Sequence, residues 1–137
     1  MQTIVGSNGQ IGQELAKELY RNYTHNLRLV SRHPQPVNDS DELVAADLLD
    51  LTATKNAVAG SDIVYFTAGL PMDSNLWQQQ FITMLTNVMS ACRLSKSKLV
   101  FFDNTYMYPK TNQLQVENSP FEPRGVKSTV LKWQKYC

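Results

Sequence analysis

Hydrophobic positions along the 137-residue chain form short continuous runs, separated by segments of helical period. The first run, residues 2–5 (QTIV), reads as a strand. After it Ile11, Leu15, Leu19 and Tyr23 recur four apart and predict one apolar stripe on a helix over 11–23. Residues 27–30 (LRLV) predict a second strand. The following HPQPVNDSD holds two prolines among turn formers and reads as a loop. LVAA at 43–46 predicts a third, short strand, and TATKNAVA at 52–59 a short helix with Gly60 as its stop. IVYF at 63–66 is the fourth strand. A long helix is expected over 74–94, with Trp77, Phe81, Leu85, Val88 and Cys92 on one face and Gln78, Gln79 and Thr86 elsewhere. LVFF at 99–102 is the fifth strand. Beyond Pro109 the chain turns polar and proline-dotted, so 110–137 reads as a tail with the start of a further helix.

Strands that are unbroken apolar runs belong to a parallel sheet covered on both faces. Alternation with helices and right-handed crossovers then predict an α/β fold with a doubly wound sheet. Composition agrees with one folded domain over 1–137: 42% of residues are hydrophobic and 18% charged. A net charge of +1 supplies no footprint for nucleic acid or an anionic membrane. Cys92 and Cys137 have no metal spacing and make no disulfide framework, and His25 and His33 lack the neighbours of a zinc site. No apolar run approaches the roughly 20 residues of a membrane span. The chain starts directly in a strand with no basic leader, so the cytoplasm is the expected location.

Three of the chain's six glycines, Gly6, Gly9 and Gly12, fall in VGSNGQIG, between the first strand and the first helix. Gly6 suits a tight turn. Gly9, having no side chain, lets a phosphate approach the backbone. Gly12 lets the helix lie close to the sheet. The unpaired N–H groups of that helix start then face the anion. The alternative is a strand-to-helix loop that binds nothing. Its place at the opening of a βαβ unit favours a dinucleotide cradle formed by Gly6, Ser7, Asn8, Gly9, Gln10, Ile11 and Gly12. No Gly-Lys-Ser/Thr follows, which excludes a Walker A loop.

The spacing GxxGxxG resembles the short-chain dehydrogenase/reductase superfamily, in its extended and atypical branches of NAD(P)-dependent epimerases and dehydratases. The resemblance covers essentially the whole chain and implies a Rossmann-type sheet. It also implies that Asp47 and Leu48, in ADLLD, meet the adenine, and that Thr67, Ala68 and Gly69, in FTAG, run along the cofactor. Asn87, in LTNVMSAC, matches an asparagine that in relatives holds the central architecture or a proton path. Each also reads plainly: Asp47 as a cap or surface residue, Thr67–Gly69 as a loop, Asn87 as an ordinary polar helix residue.

An NAD-specific site usually has an acid at the end of the second strand. Here that end reads LVSRHP, with Ser31 and Arg32. Arg32 can make charge-assisted bonds to a 2′-phosphate and Ser31 can add a hydroxyl, which favours NADP over NAD. A solvent-facing arginine is the alternative.

The resemblance further implies a hydroxyl donor after the fifth strand, and a tyrosine followed four residues later by a lysine. An unaided phenol near pKa 10 is a poor base, so the lysine matters. In FFDNTYMYPK the usual serine position falls on Asn104, with Thr105 one residue on. Tyr106 and Lys110 have the right spacing, but follow the strand too closely and are interrupted by Pro109. In QVENSPFEP, Glu117, Pro120 and Pro123 match the segment before the family's catalytic helix. On that register the tyrosine position falls near Ser128 and the lysine near Lys132, with Lys127 as a further basic candidate. The catalytic candidates are therefore Asn104, Thr105 and Lys132, with the tyrosine not in place.

Relatives run well beyond this length, and the half that shapes their substrate site is expected to be absent. The uncovered sheet edge would call for a partner, a homodimer among the candidates. Two functions stand together. One is an NAD(P)-binding epimerase-, dehydratase- or reductase-like protein acting on a sugar nucleotide or small carbonyl or alcohol compound. The other is a non-catalytic dinucleotide-binding or regulatory module, or an inactive fragment of a longer enzyme.

Overall fold

Strands β1 (Gln2–Val5), β2 (Leu27–Ser31), β3 (Glu42–Ala45), β4 (Ile63–Phe66) and β5 (Lys98–Phe101) form one parallel sheet in the order β3-β2-β1-β4-β5. The structure, a computed structural model, describes residues 1–71, 73–103, 108–109, 111–112, 114–116 and 118–122. The chain divides into two compact units. One comprises Met1–Gly69 and Thr83–Phe102, the other Leu70–Ile82 and Asp103–Cys137.

In the first unit the inner strands are buried, and the polar residue fully buried in them, Thr3, shares a hydroxyl hydrogen bond with Ser61. Ile4 pairs in register with Leu29 of β2 and Tyr65 of β4, so these three share a face. Ile4 and Leu29 join Leu27, Ala16 and Leu19 in a buried cluster against α1 (Gln10–Asn22), with Leu15, Tyr20, Val37 and Tyr65 packed around it. The opposite face carries Val5, Val30 and Phe66, all fully buried, and the Phe66 ring meets Phe101 at 5.5 Å. The chain turns back at β1, which lies between β2 and β4, and the sheet is doubly wound as the apolar runs predict.

Helix α1 departs from the expected stripe. Ile11 is 42% exposed and Tyr23 74%, whereas Gly12, Ala16 and Leu19 are the buried positions. The helix packs through its small residues, which allow close approach, so the stripe of large side chains points partly away from the sheet. No helix forms between β2 and β3, as the prolines require. Instead Val37 packs into the α1 cluster and Asn38 donates to the Ala16 carbonyl at 3.3 Å.

Helix α2 (Leu51–Val58) starts on Asp50, whose carboxylate accepts the N–H groups of Thr52 and Ala53. It stops before Gly60, which takes φ +73, as its C-terminal position predicts. Arg28 bridges β2 to the helix end. Its Nη1 donates to the carbonyls of Ala57 (3.0 Å) and Ala59 (2.8 Å). Its Nε forms an ion pair with Glu42 at 3.0 Å that is not aligned as a hydrogen bond.

The long helix expected over 74–94 is not continuous. A short α3 (Ser74–Leu76) leads into a π-helical turn, Trp77–Phe81, and then α4 (Ile82–Ser95). In the second unit, the Trp77 indole N–H donates to the carbonyls of Leu70 (3.3 Å) and Pro71 (3.0 Å), and its ring stacks on Phe81 at 4.5 Å. These fixed rings accompany the wider turn. Elsewhere in that unit Tyr108 meets Phe121 edge-on at 5.2 Å. Other boundaries shift by one residue: β3 and β5 each start and end one position earlier than the apolar runs suggested, and β2 extends to Ser31. No helix among the described residues is long and apolar enough to cross a membrane.

Candidate functional site

The carboxyl ends of β1, β2, β3 and β4 lie along one edge of the sheet, and the residues after each strand gather there. Gly6 and Ser7 donate their N–H groups to the Val30 carbonyl at 2.9 and 3.2 Å, which ties the glycine loop to the end of β2. Thr67 donates through its N–H and its hydroxyl to the Val5 carbonyl, both at 3.0 Å, which fixes the segment after β4 beside β1. Ala46 donates to the Ser31 carbonyl at 2.9 Å and carries the order outward to β3.

The three glycines are distinct in what they require. Gly6 has φ +87, and a Cβ there would sit 2.4 Å from the Ala68 Cα and 2.5 Å from its nitrogen. Backbone meets backbone at that point, so no side chain fits. A Cβ on Gly12 would lie 2.8 Å from both the Gly6 oxygen and the Ser7 Cα. The first turn of α1 therefore rests directly on the loop. Gly9 is different: a Cβ there meets only the Gly6 oxygen, at an ordinary 3.4 Å. The fold leaves room above Gly9.

Gly9 is also the N-cap of α1. No side chain caps the helix and its first turn holds no acid. Gln13 is the first helical N–H with a backbone acceptor, the Gly9 carbonyl at 3.0 Å. The preceding N–H groups of Gln10, Ile11 and Gly12 are the helix's open donors, at its positive end. Ser7 and Ser31 add two buried hydroxyls with no partner, an uncommon state for such groups.

Arg32, exposed at the end of β2, has no partner among the described residues. No acid occupies the end of β2; the first one after it is Asp39. Asp47 is exposed. One of its oxygens accepts the Leu49 N–H at 3.0 Å and closes a tight turn, within which Leu48 is buried. The Asn87 amide on α4 donates to the carbonyls of Leu48 (2.8 Å) and Leu49 (3.1 Å). Its contacts in the structure are thus with the loop after β3, which it holds in place. Ala68 backs Gly6, and Gly69 is exposed, with open space around it.

Two partners were not apparent in the sequence. The Asn8 amide donates to the His33 carbonyl at 2.7 Å and accepts the Gln35 N–H at 3.2 Å. Only the amide's capacity to donate and accept at once hinted at this. Asn104, Thr105, Lys132, Lys127, Ser128, Glu117 and the Tyr106/Lys110 pair lie outside the described residues. No cluster of metal-ligating side chains occurs among the described residues.

A family profile described as NAD(P)H-binding matches residues 6–119. Among solved structures, uronate dehydrogenase from Agrobacterium tumefaciens superposes with a TM-score of 0.80 at 24% identity, over 98% of this chain and 53% of that one. A glucuronic acid dehydrogenase from Chromohalobacter salexigens gives 0.81 at 22% identity, over 98% and 53%. MoeE5, solved with UDP-glucose and NAD, gives 0.78 at 23%, over 98% and 46%. The chain thus spans about half the length of these structures, and the likeness is one of fold. No curated protein matches the sequence significantly.

Proposed function

The chain belongs to the NAD(P)H-binding family, and from that premise we propose that it serves NAD(P)-dependent oxidoreductase or epimerase chemistry on a sugar acid or a nucleotide-linked sugar. The observation that carries the reading is the open phosphate cradle: an uncapped α1 with room above Gly9. The residues fit a dinucleotide. The free N–H groups of Gln10, Ile11 and Gly12 suit a pyrophosphate. Ser7 and Ser31 offer unpartnered hydroxyls. Asp47 keeps one carboxylate oxygen beyond its turn for an amino group of the adenine, and the Leu48 backbone lies beside it. Thr67–Gly69 is the wall along which the cofactor continues.

Arg32, with no acid beside it at the end of β2, favours the 2′-phosphorylated cofactor, NADP over NAD. When bound, the nicotinamide exchanges a hydride with an alcohol or carbonyl carbon. The matching proton needs a protein group, for which Asn104, Thr105 and Lys132 are the candidates. The substrate class is taken from the fold relatives, which are named for uronate and glucuronic acid or were solved with UDP-glucose.

The second reading, a dinucleotide-binding module without turnover, is favoured by Ser128, which stands where the family's tyrosine is expected. We place the protein in the cytoplasm, and take a second copy of the chain as its candidate protein partner, since Val100 in the edge strand β5 and Phe102 just after it are 37% and 58% exposed.

Titration with NADPH and NADH, followed by nicotinamide fluorescence, tests the proposal. Both are expected to bind, NADPH more tightly. Arg32→Asp should weaken NADPH by roughly 10- to 100-fold more than NADH, and equal effects refute the 2′-phosphate role. Turnover on uronic acids or UDP-sugars supports the enzyme reading; binding without turnover on that panel supports the module. Binding of neither nucleotide refutes both.

A further inference from the structure

We propose that Asn8 is a positioning residue that couples the phosphate cradle to the loop bearing Arg32, so that preference for a 2′-phosphorylated dinucleotide depends on Asn8 acting through Arg32. The inference rests on the role given to Arg32 above.

Asn8 stands one residue before Gly9, yet its side chain turns away from the helix start and reaches across to the segment after β2. The two bonds are complementary. The amide nitrogen donates to the His33 carbonyl at 2.7 Å, and the amide oxygen accepts the Gln35 N–H at 3.2 Å. Pro34 between them has no N–H to offer. On its other side, the Asn8 carbonyl accepts from the Gln13 side chain at 3.4 Å, which anchors Asn8 to α1.

Arg32 is bracketed as a result. Before it, Ser31 is in the sheet, in register with Ala45. After it, His33 is held by Asn8. The far end of the same loop is fastened separately. Asp41 accepts the N–H groups of Val37 (3.0 Å) and Asn38 (2.7 Å), and Asn38 donates to the Ala16 carbonyl (3.3 Å). Loss of the Asn8 contacts therefore frees the stretch around Arg32 without unfastening the rest. An arginine loses much rotamer freedom when it binds a phosphate. A fixed backbone on both sides removes part of that ordering cost and sets the distance from Arg32 to the pyrophosphate cradle. Both ends of the nucleotide are then read by one braced unit.

The test is a double-mutant cycle on the full chain, with NADPH and NADH affinities measured for wild type, Asn8→Ala, Arg32→Ala and the pair. Asn8→Ala is expected to weaken NADPH by roughly three- to tenfold more than NADH. In the Arg32→Ala background the same change should weaken both nucleotides equally. Asn8→Ser, whose hydroxyl is too short to reach both groups, carries the same comparison in case the alanine variant does not fold. Without nucleotide, amide exchange at Gln35 should be faster in either variant. Equal weakening of both nucleotides by Asn8→Ala, or unchanged Gln35 exchange, overturns the inference and leaves the cofactor reading intact. A wild-type chain that binds neither nucleotide overturns that reading and the inference with it.

Discussion

Gly9→Ala separates folding from binding at the cradle. The Gly9 backbone, at φ −70 and ψ 157, is open to any residue. The added methyl group would meet only the Gly6 oxygen, at 3.4 Å. Two small effects on stability oppose each other. Alanine is a poorer N-cap than glycine, which costs about 0.5–1 kcal/mol. It also has less freedom to lose on folding, which returns about 0.4–1 kcal/mol. The net change should stay within about 1 kcal/mol, so Tm should move by less than about 5 °C. Binding should respond differently. On the proposed reading, the methyl group would fill the space through which a pyrophosphate reaches the N–H groups of the first turn. Loss of one charge-assisted hydrogen bond is worth about 1.5–3 kcal/mol, or roughly 10- to 150-fold in Kd. Thermal melting and NADPH fluorescence titration of the same preparation read both quantities. A variant that binds NADPH as wild type does would refute phosphate approach at Gly9. A variant that binds weakly because it is largely unfolded would refute the account of room there.

The neighbouring glycines should behave in the opposite way. Gly12→Ala forces a contact at 2.8 Å against the loop backbone, and should cost roughly 1–3 kcal/mol in urea unfolding; Gly6→Ala, with φ +87 and a 2.4 Å contact to the Ala68 Cα, should cost roughly 3–5 kcal/mol, and wild-type stability in either would refute the packing argument. Asn87→Ala leaves the Leu49 carbonyl without its donor and should cost about 1–2 kcal/mol, seen as a lower Tm; no change would show that the loop after β3 holds itself. Burial pushes the Cys92 thiol from an ordinary 9.0 up to about 11, and burial, with the charge of Tyr23 adding to it, raises the Tyr65 phenol as well. For Cys92 the folded and unfolded states are both protonated below about pH 9; between about 9 and 11 only the unfolded thiol ionises, so stability should fall as pH rises, by at most roughly 2–3 kcal/mol. Urea midpoints at pH 8 and 10.5 check this, and an equally steep fall in Cys92→Ala would refute the thiol's part.

LRLV and IVYF were legible because a buried parallel strand is mostly apolar; QTIV is half polar, and its Thr3 is buried with a hydroxyl bond to the distant Ser61. The loop between β2 and β3 was legible because its prolines forbid a helix. The buried face of α1 was not. Periodicity of large side chains followed Ile11 and Tyr23, whereas contact with the sheet is made by Gly12, Ala16 and Leu19, two of which carry little hydrophobic signal. The π-helical turn at Trp77–Phe81 was hidden for a related reason: a local widening keeps the same residues buried, so the apolar pattern passes through it unchanged.

At the site, what the sequence could reveal was chemistry tied to one backbone position, such as a glycine that must be a glycine. What it could not reveal was which distant segment a polar side chain holds. Asn8 reaches a carbonyl 25 positions on, and Asn87 reaches one 39 positions back. Those contacts depend on the crossovers, not on local pattern. They also explain a contrast between the helices. Asp50 caps α2 with its own carboxylate, while α1 begins on an uncapped glycine, although Ser7 and Asn8 are both near enough in sequence to suggest a cap. The Ser7 hydroxyl is buried without a partner and the Asn8 amide is committed to His33 and Gln35. An uncapped helix start forgoes about 1 kcal/mol. A bound phosphate would supply the missing acceptor, and Asn8, freed from capping, is what fixes the neighbouring loop around it.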